Sequence, residues 1–288
     1  MIEQEIDSLV PARDFSRRGF MRTSVGSGFA AAVLPVMAQT AIRTPADGLV
    51  VGEVMIPVGG FQMPAYRAAP AGKTKAPVVL VASEIFGVHE YIADVARRLA
   101  HAGYFAIAPE LFVRQGDAQS YGEIAKLMSE VIARVPDAQV MQDLDACVAW
   151  ARGQGADPAR LGITGFCWGG RITWLYAAHN PALKAGVAWY GRLVGQATAP
   201  APKNPVDLAA AIKAPILGLY GGADAGIPNE TVEQMRKALQ QAGHKASEII
   251  VYPDMPHAFH ADYRPSYRKA AAEDGWKRLL AWFERHLA

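Results

Sequence analysis

Strands alternating with helices along nearly the whole chain predict an α/β fold: a mostly parallel central sheet covered by helices on both faces. Two sets of observations carry that prediction. Continuous apolar runs at Pro77–Ser83, Tyr104–Ala108, Ala185–Trp189 and Ile216–Tyr220 have the composition of strands buried on both sides. Between and after them, Tyr91–Ala102, Asp137–Ala151, Asn229–Ala242 and Ser266–His286 read as helices, with apolar residues recurring at helical spacing. At 288 residues and 51% hydrophobic content, the chain is long enough to bury the core of one large domain.

The elements follow in order. Residues 1–38 read as a targeting segment rather than as part of the fold. Ser16-Arg17-Arg18-Gly19-Phe20-Met21 is a twin-arginine pattern, a mildly apolar stretch runs from Val25 to Met37, and Val36-Met37-Ala38 fits a small-residue cleavage site. The expectation is cleavage and export to the periplasm or beyond, with a cytoplasmic location as the alternative. The apolar stretch is broken by Gly26, Gly28 and Pro35, too short for the ~20 apolar residues of a membrane span. Residues 39–288 are expected to form one domain. Val50–Val58 and Phe61–Ala68, separated by Gly59-Gly60, read as an opening antiparallel hairpin. Pro77–Ser83 begins the buried strands, Ser247–Val251 ends them, and Ala197–Pro205 is a Pro/Ala-rich surface excursion.

Composition narrows the function. A net charge of +2 with no Lys/Arg-rich run argues against nucleic acid and for a small-molecule partner. The two cysteines, Cys147 and Cys167, lack any C-x-x-C or Cys/His spacing, so neither a zinc site nor a disulfide framework is expected. No cofactor is implied, and a monomer or small homo-oligomer is expected.

The stretch Leu161–Trp174, L-G-I-T-G-F-C-W-G-G-R-I-T-W, places Cys167 between glycines two before and two after it, at a strand-to-helix turn. A nucleophile at the apex of such a turn requires small residues at both flanking positions. The helix N-terminus that follows turns partial positive charge toward the sulfur, favouring a thiolate and a developing oxyanion. Taken alone, G-x-C-x-G also fits a buried structural cysteine. In a doubly covered parallel sheet, functional groups collect at the carboxyl ends of the strands. Three positions answer: Glu84 after Pro77–Ser83, Asp224 after Ile216–Tyr220, and His257 after Ser247–Val251. The order nucleophile, acid, histidine with each on a separate strand-end loop is that of a hydrolytic triad. Asp254 is the rival acid and His260 the rival histidine; Cys147, on an apolar helix face, reads as core.

E-I-F-G at 84–87, G-F-C-W-G-G at 165–170, G-G-A-D at 221–224 and H-A-F at 257–259 together resemble the dienelactone hydrolase (carboxymethylenebutenolidase) family, over about Leu49 to Leu287. The resemblance implies a single α/β-hydrolase domain that hydrolyses small esters or lactones without a cofactor. It implies Cys167 as nucleophile, His257 as general base, Asp224 as the acid that orients it, and Trp168 and Ile85 N–H groups as oxyanion hole. Glu84 matches a glutamate that contacts the resting cysteine and helps generate the thiolate; on that reading Glu84→Gln slows thiolate chemistry and leaves folding nearly unchanged. The best-known members hold a substrate carboxylate with two arginines, one of them four residues after the histidine. Here that position is Ala261, and Tyr121–Met128 has no arginine. Arg114, Arg192, Phe86 and Tyr190 remain as candidate substrate contacts. A broader esterase or thioesterase and a catalytically silent binding protein are the alternatives. Redox chemistry is disfavoured, because no second cysteine lies near Cys167 in sequence.

Overall fold

The structure, a computed structural model, describes residues 42–288, so the twin-arginine pattern and the cleavage site lie outside the described residues. The described residues build one eight-stranded sheet in the order β1-β2-β4-β3-β5-β6-β7-β8. The opening hairpin, β1 (Leu49–Val58) and β2 (Phe61–Pro70), is antiparallel and turns at Gly59-Gly60. β2 continues antiparallel onto β4 (Phe105–Pro109), and from β4 outward every pairing is parallel.

Burial explains the central strands. All six residues of β3 (Pro77–Ala82) are buried, as are all of β4 and of β7 (Ile216–Gly221), which accounts for their unbroken apolar runs. β5 (Asp157–Phe166) and β6 (Leu183–Trp189) complete the middle of the sheet. β5 starts earlier than its apolar residues indicate, because Asp157 pairs with Pro77 ahead of an irregularity in the ladder. β8 (Glu248–Tyr252) is only half-buried, as befits an edge strand.

Helices cover both faces. On one, α1 (Glu90–His101) meets the C-terminal helix α6 (Lys269–Leu287), where the Arg98 guanidinium lies over the Trp276 ring at 5.4 Å. α3 (Asp137–Gly153) and α4 (Trp168–His179) are joined to each other, with Tyr176 Oη donating to Asp145 at 2.9 Å. α5 (Asn229–Gln241) lies beside β8, and its Arg236 donates to the carbonyl of Ile249 at 2.7 Å. A short helix, α2 (Ile124–Glu130), was not anticipated: it buries only Ile124 and Leu127, too little periodicity to read in advance.

The first described residues are tied down. Ile42 N–H donates to Asp262 at 2.9 Å and Thr44 N–H to Asp94 at 2.5 Å, while Arg97 Nε returns a bond to the Thr44 carbonyl at 2.9 Å. Arg98 braces the same two carboxylates, at 2.6 Å to Asp94 and 3.3 Å to Asp262. Asp262 belongs to the loop between β8 and α6 that also carries His257.

Candidate active site

The parallel pairing sets the site. Gly165 lies opposite Ala82 on β3 and Ala188 on β6, so the carboxyl ends of β3, β5 and β6 open at one level. The chain passes directly from β5 to α4 through Cys167, which adopts φ 55° and ψ −113°. An L-residue in the left-handed region costs about 1–3 kcal/mol and persists only where its surroundings impose it. They do so here. The Cys167 N–H is held by the Trp189 carbonyl at 3.0 Å and its carbonyl accepts Arg171 N–H at 3.2 Å. A Cβ on Gly165 would stand 2.1 Å from the Gly169 oxygen, and one on Gly169 would stand 2.2 Å from the Ala82 oxygen. The glycines at these two positions are therefore steric requirements of the turn. No acidic side chain occupies the first turn of α4, which leaves its positive end to the sulfur.

Asp224, after β7, is 4% exposed and both of its oxygens are engaged. Oδ1 accepts Gly226 N–H at 2.9 Å and Ile227 N–H at 3.2 Å; Oδ2 meets His257 Nδ1 at 2.6 Å. The carboxylate is therefore oriented before it meets the ring, and the Nδ1 contact leaves Nε2 for other work. Burial alone lowers the pKa of His257, but the Cys167 charge and hydrogen bonds to Asp224 and Cys167 outweigh it and raise it to about 10. Asp254 is exposed and His260 is buried, with Nδ1 on Tyr91 Oη at 2.6 Å. The sequence rivals are thus elsewhere. Cys147 is fully buried, and burial pushes its thiol well up, as expected of a core residue.

Glu84 follows β3 and is 0% exposed. It accepts a hydrogen bond from Tyr263 Oη and faces Arg264 Nη2 at 3.5 Å and His89 Nε2 at 3.7 Å. Burial would raise its pKa, but Arg264, His89 and Tyr263 together lower it to about 2. The sequence reading places this carboxylate on the resting cysteine; here Arg264, Tyr263 and His89 engage it.

These three partners escaped the sequence reading. The arginine sought four residues after His257 is Ala261, whereas Arg264 stands seven after it and reaches Glu84 because Ala258 turns the loop at φ 58°. Of the four non-glycine residues with positive φ among the described residues, Cys167, Tyr190 and Ala258 flank this site. That clustering of strain is a structural signal that no spacing rule contains.

The other candidates divide. Phe86 is 8% exposed and packs under the Arg264 guanidinium at 5.4 Å. The Tyr190 ring stands edge-on to His257 at 5.2 Å. Arg192 is exposed on the loop after β6. Arg114 is committed elsewhere, bidentate to Asp143 at 2.7 and 2.8 Å and lying over the Phe61 ring. Trp168 is the first residue of α4, where N–H groups have no intrahelical acceptor, and its ring meets Phe112 at 4.7 Å. Gly169 abuts the carbonyls of Ala82 and Ser83, so the Ser83–Ile85 loop lies against the elbow.

The dienelactone hydrolase family matches residues 63–287. A protein of Methylorubrum extorquens provisionally named carboxymethylenebutenolidase is 61% identical over 285 residues, 99% of this chain and 98% of that one. The chain belongs to the dienelactone hydrolase family. Another relative with the same provisional name, from Escherichia coli, is 58% identical over 267 residues, 92% of this chain and 98% of that one. A crystal structure from Klebsiella pneumoniae, provisionally named dienelactone hydrolase, is 56% identical, with a TM-score of 0.82 over 83% of this chain and all of that one. As a dienelactone hydrolase family member with an α/β-hydrolase-like fold, the chain is a hydrolase of carboxylic ester bonds.

Proposed function

We propose that this dienelactone hydrolase family member cleaves small esters or lactones through a Cys167–His257–Asp224 triad. The observation that carries the reading is the strained apical Cys167 beside a histidine whose other nitrogen is fixed by Asp224 at 2.6 Å. The Cys167 thiolate attacks the carbonyl carbon, and a C–S bond forms as the carbonyl π electrons move to oxygen. The backbone N–H groups of Trp168 and Ile85 receive that oxyanion. Collapse breaks the carbon–oxygen bond; protonated His257 gives its Nε2 proton to the departing alkoxide, leaving a thioester. Neutral His257 then takes a proton from water as the water attacks the thioester, and the thiolate leaves. In a lactone the departing alkoxide stays tethered, so the product is a single hydroxy acid.

Glu84 assists in this scheme by staying paired. Paired with Arg264 it presents little net charge to Cys167, so the thiolate forms against His257 without a repelling carboxylate. Export through the twin-arginine pattern in residues 1–38 belongs to the same proposal. Its test is the location of the protein with and without Arg17 and Arg18.

The catalytic reading is tested by turnover of p-nitrophenyl acetate before and after one equivalent of iodoacetamide. Loss of activity in step with Cys167 alkylation is expected. Full activity after complete alkylation would sink the thiolate mechanism, and no turnover of any ester or lactone would favour the binding-protein alternative.

A further inference from the structure

The N–H assigned to the oxyanion on Ile85 sits in a turn that is held from outside. Glu84 to Gly87 form a β-turn closed by Gly87 N–H on the Glu84 carbonyl at 3.4 Å, with Ile85 and Phe86 at its centre. Such a turn uses the N–H of its last residue and neither of its central ones. No backbone carbonyl of the described residues accepts the Ile85 N–H, which leaves it to an incoming oxygen.

One side chain outside the triad fixes this segment. Glu110 directly follows β4, and its own N–H bonds to the Pro64 carbonyl of β2 at 2.9 Å, so its carboxylate extends from the sheet rather than from a loose loop. Glu110 Oε1 accepts Val88 N–H at 2.5 Å. The carboxylate also occupies the space beside Gly87, where an added Cβ would stand 2.6 Å from Oε2 and 3.0 Å from Oε1. Gly87 has φ 72°, so glycine is required there both by the backbone and by Glu110. Gln119 Nε2 donates to the Val88 carbonyl at 3.1 Å, which ties the next peptide group as well. Gln119 is exposed and Glu110 half-buried, so Glu110 is the firmer tie. At the other end of the segment, the Ser83 carbonyl would stand 2.7 Å from a Cβ on Gly169 of the elbow. The turn that carries Ile85 is thus stretched between the elbow and Glu110.

Placement decides what such a tie does for the chemistry. An oxyanion donor works at about 2.7–3.1 Å from the position the oxygen takes in the transition state. A displacement of about 1 Å, caused away from the reacting atoms, can slow a reaction about 100-fold.

We propose that Glu110 is a positioning residue of the oxyanion hole: by accepting Val88 N–H and filling the space against Gly87, it sets the direction of the Ile85 N–H. The proposal rests on the hydrolase reading above, in which that N–H receives the oxyanion, and adds the residue that aims it.

The experiment compares Glu110→Ala, Glu110→Gln and wild type, as full chains, in three measurements. The first is kcat and KM for p-nitrophenyl acetate. The second is inhibition by 1,1,1-trifluorobutan-2-one, whose carbonyl carbon takes the Cys167 sulfur while its oxygen becomes an oxyanion. The third is the rate of Cys167 alkylation by iodoacetamide, in which the sulfur displaces iodide and no oxyanion forms. In Glu110→Ala, kcat and affinity for the ketone should fall about 10- to 100-fold, with KM and the alkylation rate little changed. Glu110→Gln keeps an oxygen acceptor for Val88 N–H and should recover most of the loss. Should Glu110→Ala fail to fold, Glu110→Asp, one methylene shorter, makes the same comparison. Wild-type kcat and ketone affinity in the variant would overturn the positioning role and leave the hydrolase reading intact. Equal losses in turnover, ketone affinity and alkylation would overturn it too, since they indicate general loosening of the site. A wild type that neither hydrolyses the ester nor binds the ketone would remove the hydrolase reading, and the proposal with it.

Discussion

Glu84 Oε1 and Arg264 Nη2 face each other at 3.5 Å, with side chains 0% and 5% exposed, in the candidate active site. Their charges are close, buried and mutually dependent. Removing one partner of such a pair leaves the other uncompensated and costs about 3–5 kcal/mol. Glu84→Gln should therefore lower the midpoint of denaturant unfolding markedly, contrary to the sequence expectation of a nearly silent change in stability. Glu84→Gln/Arg264→Met should recover part of the loss. Equal midpoints for wild type and Glu84→Gln would show that the pair contributes nothing.

The same carboxylate sets an acid limit. Its folded pKa, about 2, lies below its ordinary value of 4.5, so its contribution is fully present above pH 4.5 and is lost as pH falls toward 2. Stability of the wild type should fall through that window more steeply than that of Glu84→Gln. Unfolding curves at stepped pH measure the difference in slope.

Asp224 saturates one oxygen with two backbone N–H groups and gives the other to His257. Asp224→Asn substitutes a donor amide for an acceptor and favours the wrong imidazole tautomer, so kcat should fall by about 10⁴ with the fold intact. Asp254→Asn, at an exposed position, should remain near wild type. The reverse pattern in steady-state kinetics would identify Asp254 as the working acid.

His257 and Cys167 are expected to react as a pair. His257→Ala should slow alkylation of Cys167 by iodoacetamide near neutral pH, because the thiolate is the reacting species and loses its counter-charge. Cys147 should stay unlabelled in the native protein of either form, since it is fully buried. Peptide mass mapping separates the two sites.

The elbow allows a steric prediction. A methyl at position 169 would sit 2.2 Å from the Ala82 oxygen and 2.7 Å from that of Ser83, both backbone atoms of the neighbouring strand end. Overfilling a packed site costs about 1–3 kcal/mol, occasionally more. Gly169→Ala should lower the melting temperature and reduce kcat far more than KM, because the displaced loop carries Ile85. Wild-type kcat in this variant would place the oxyanion contacts elsewhere.

What was legible in the sequence followed from strand ends. Cys167, Asp224 and His257 each stand just past an apolar run, so the parallel sheet predicts that they meet, and residue type suggests what each contributes. The surroundings of Glu84 obey no such rule. Arg264 and Tyr263 arrive through an irregular loop whose path depends on the positive φ of Ala258, and His89 arrives from the N-cap of α1. Backbone strain of this kind carries no residue signature, since alanine and tyrosine are unexpected hosts for it. The short helix α2 was lost for a different reason, its two buried residues being too few to establish a period.

The strap formed by Ile42 and Thr44 bears on how the chain can be trimmed. Ile42 grips Asp262, immediately before Tyr263 and Arg264, and Thr44 grips Asp94 on the helix that Arg98 shares with that loop. A protein cut back to the family-matched residues 63–287 would keep every side chain of the proposed triad and yet release the clasp on the segment that aims Tyr263 and Arg264 at Glu84. Residues 42–45 thus serve as an anchor for the histidine loop, and a tag or fusion joined within Ile42–Pro45 competes with that anchoring.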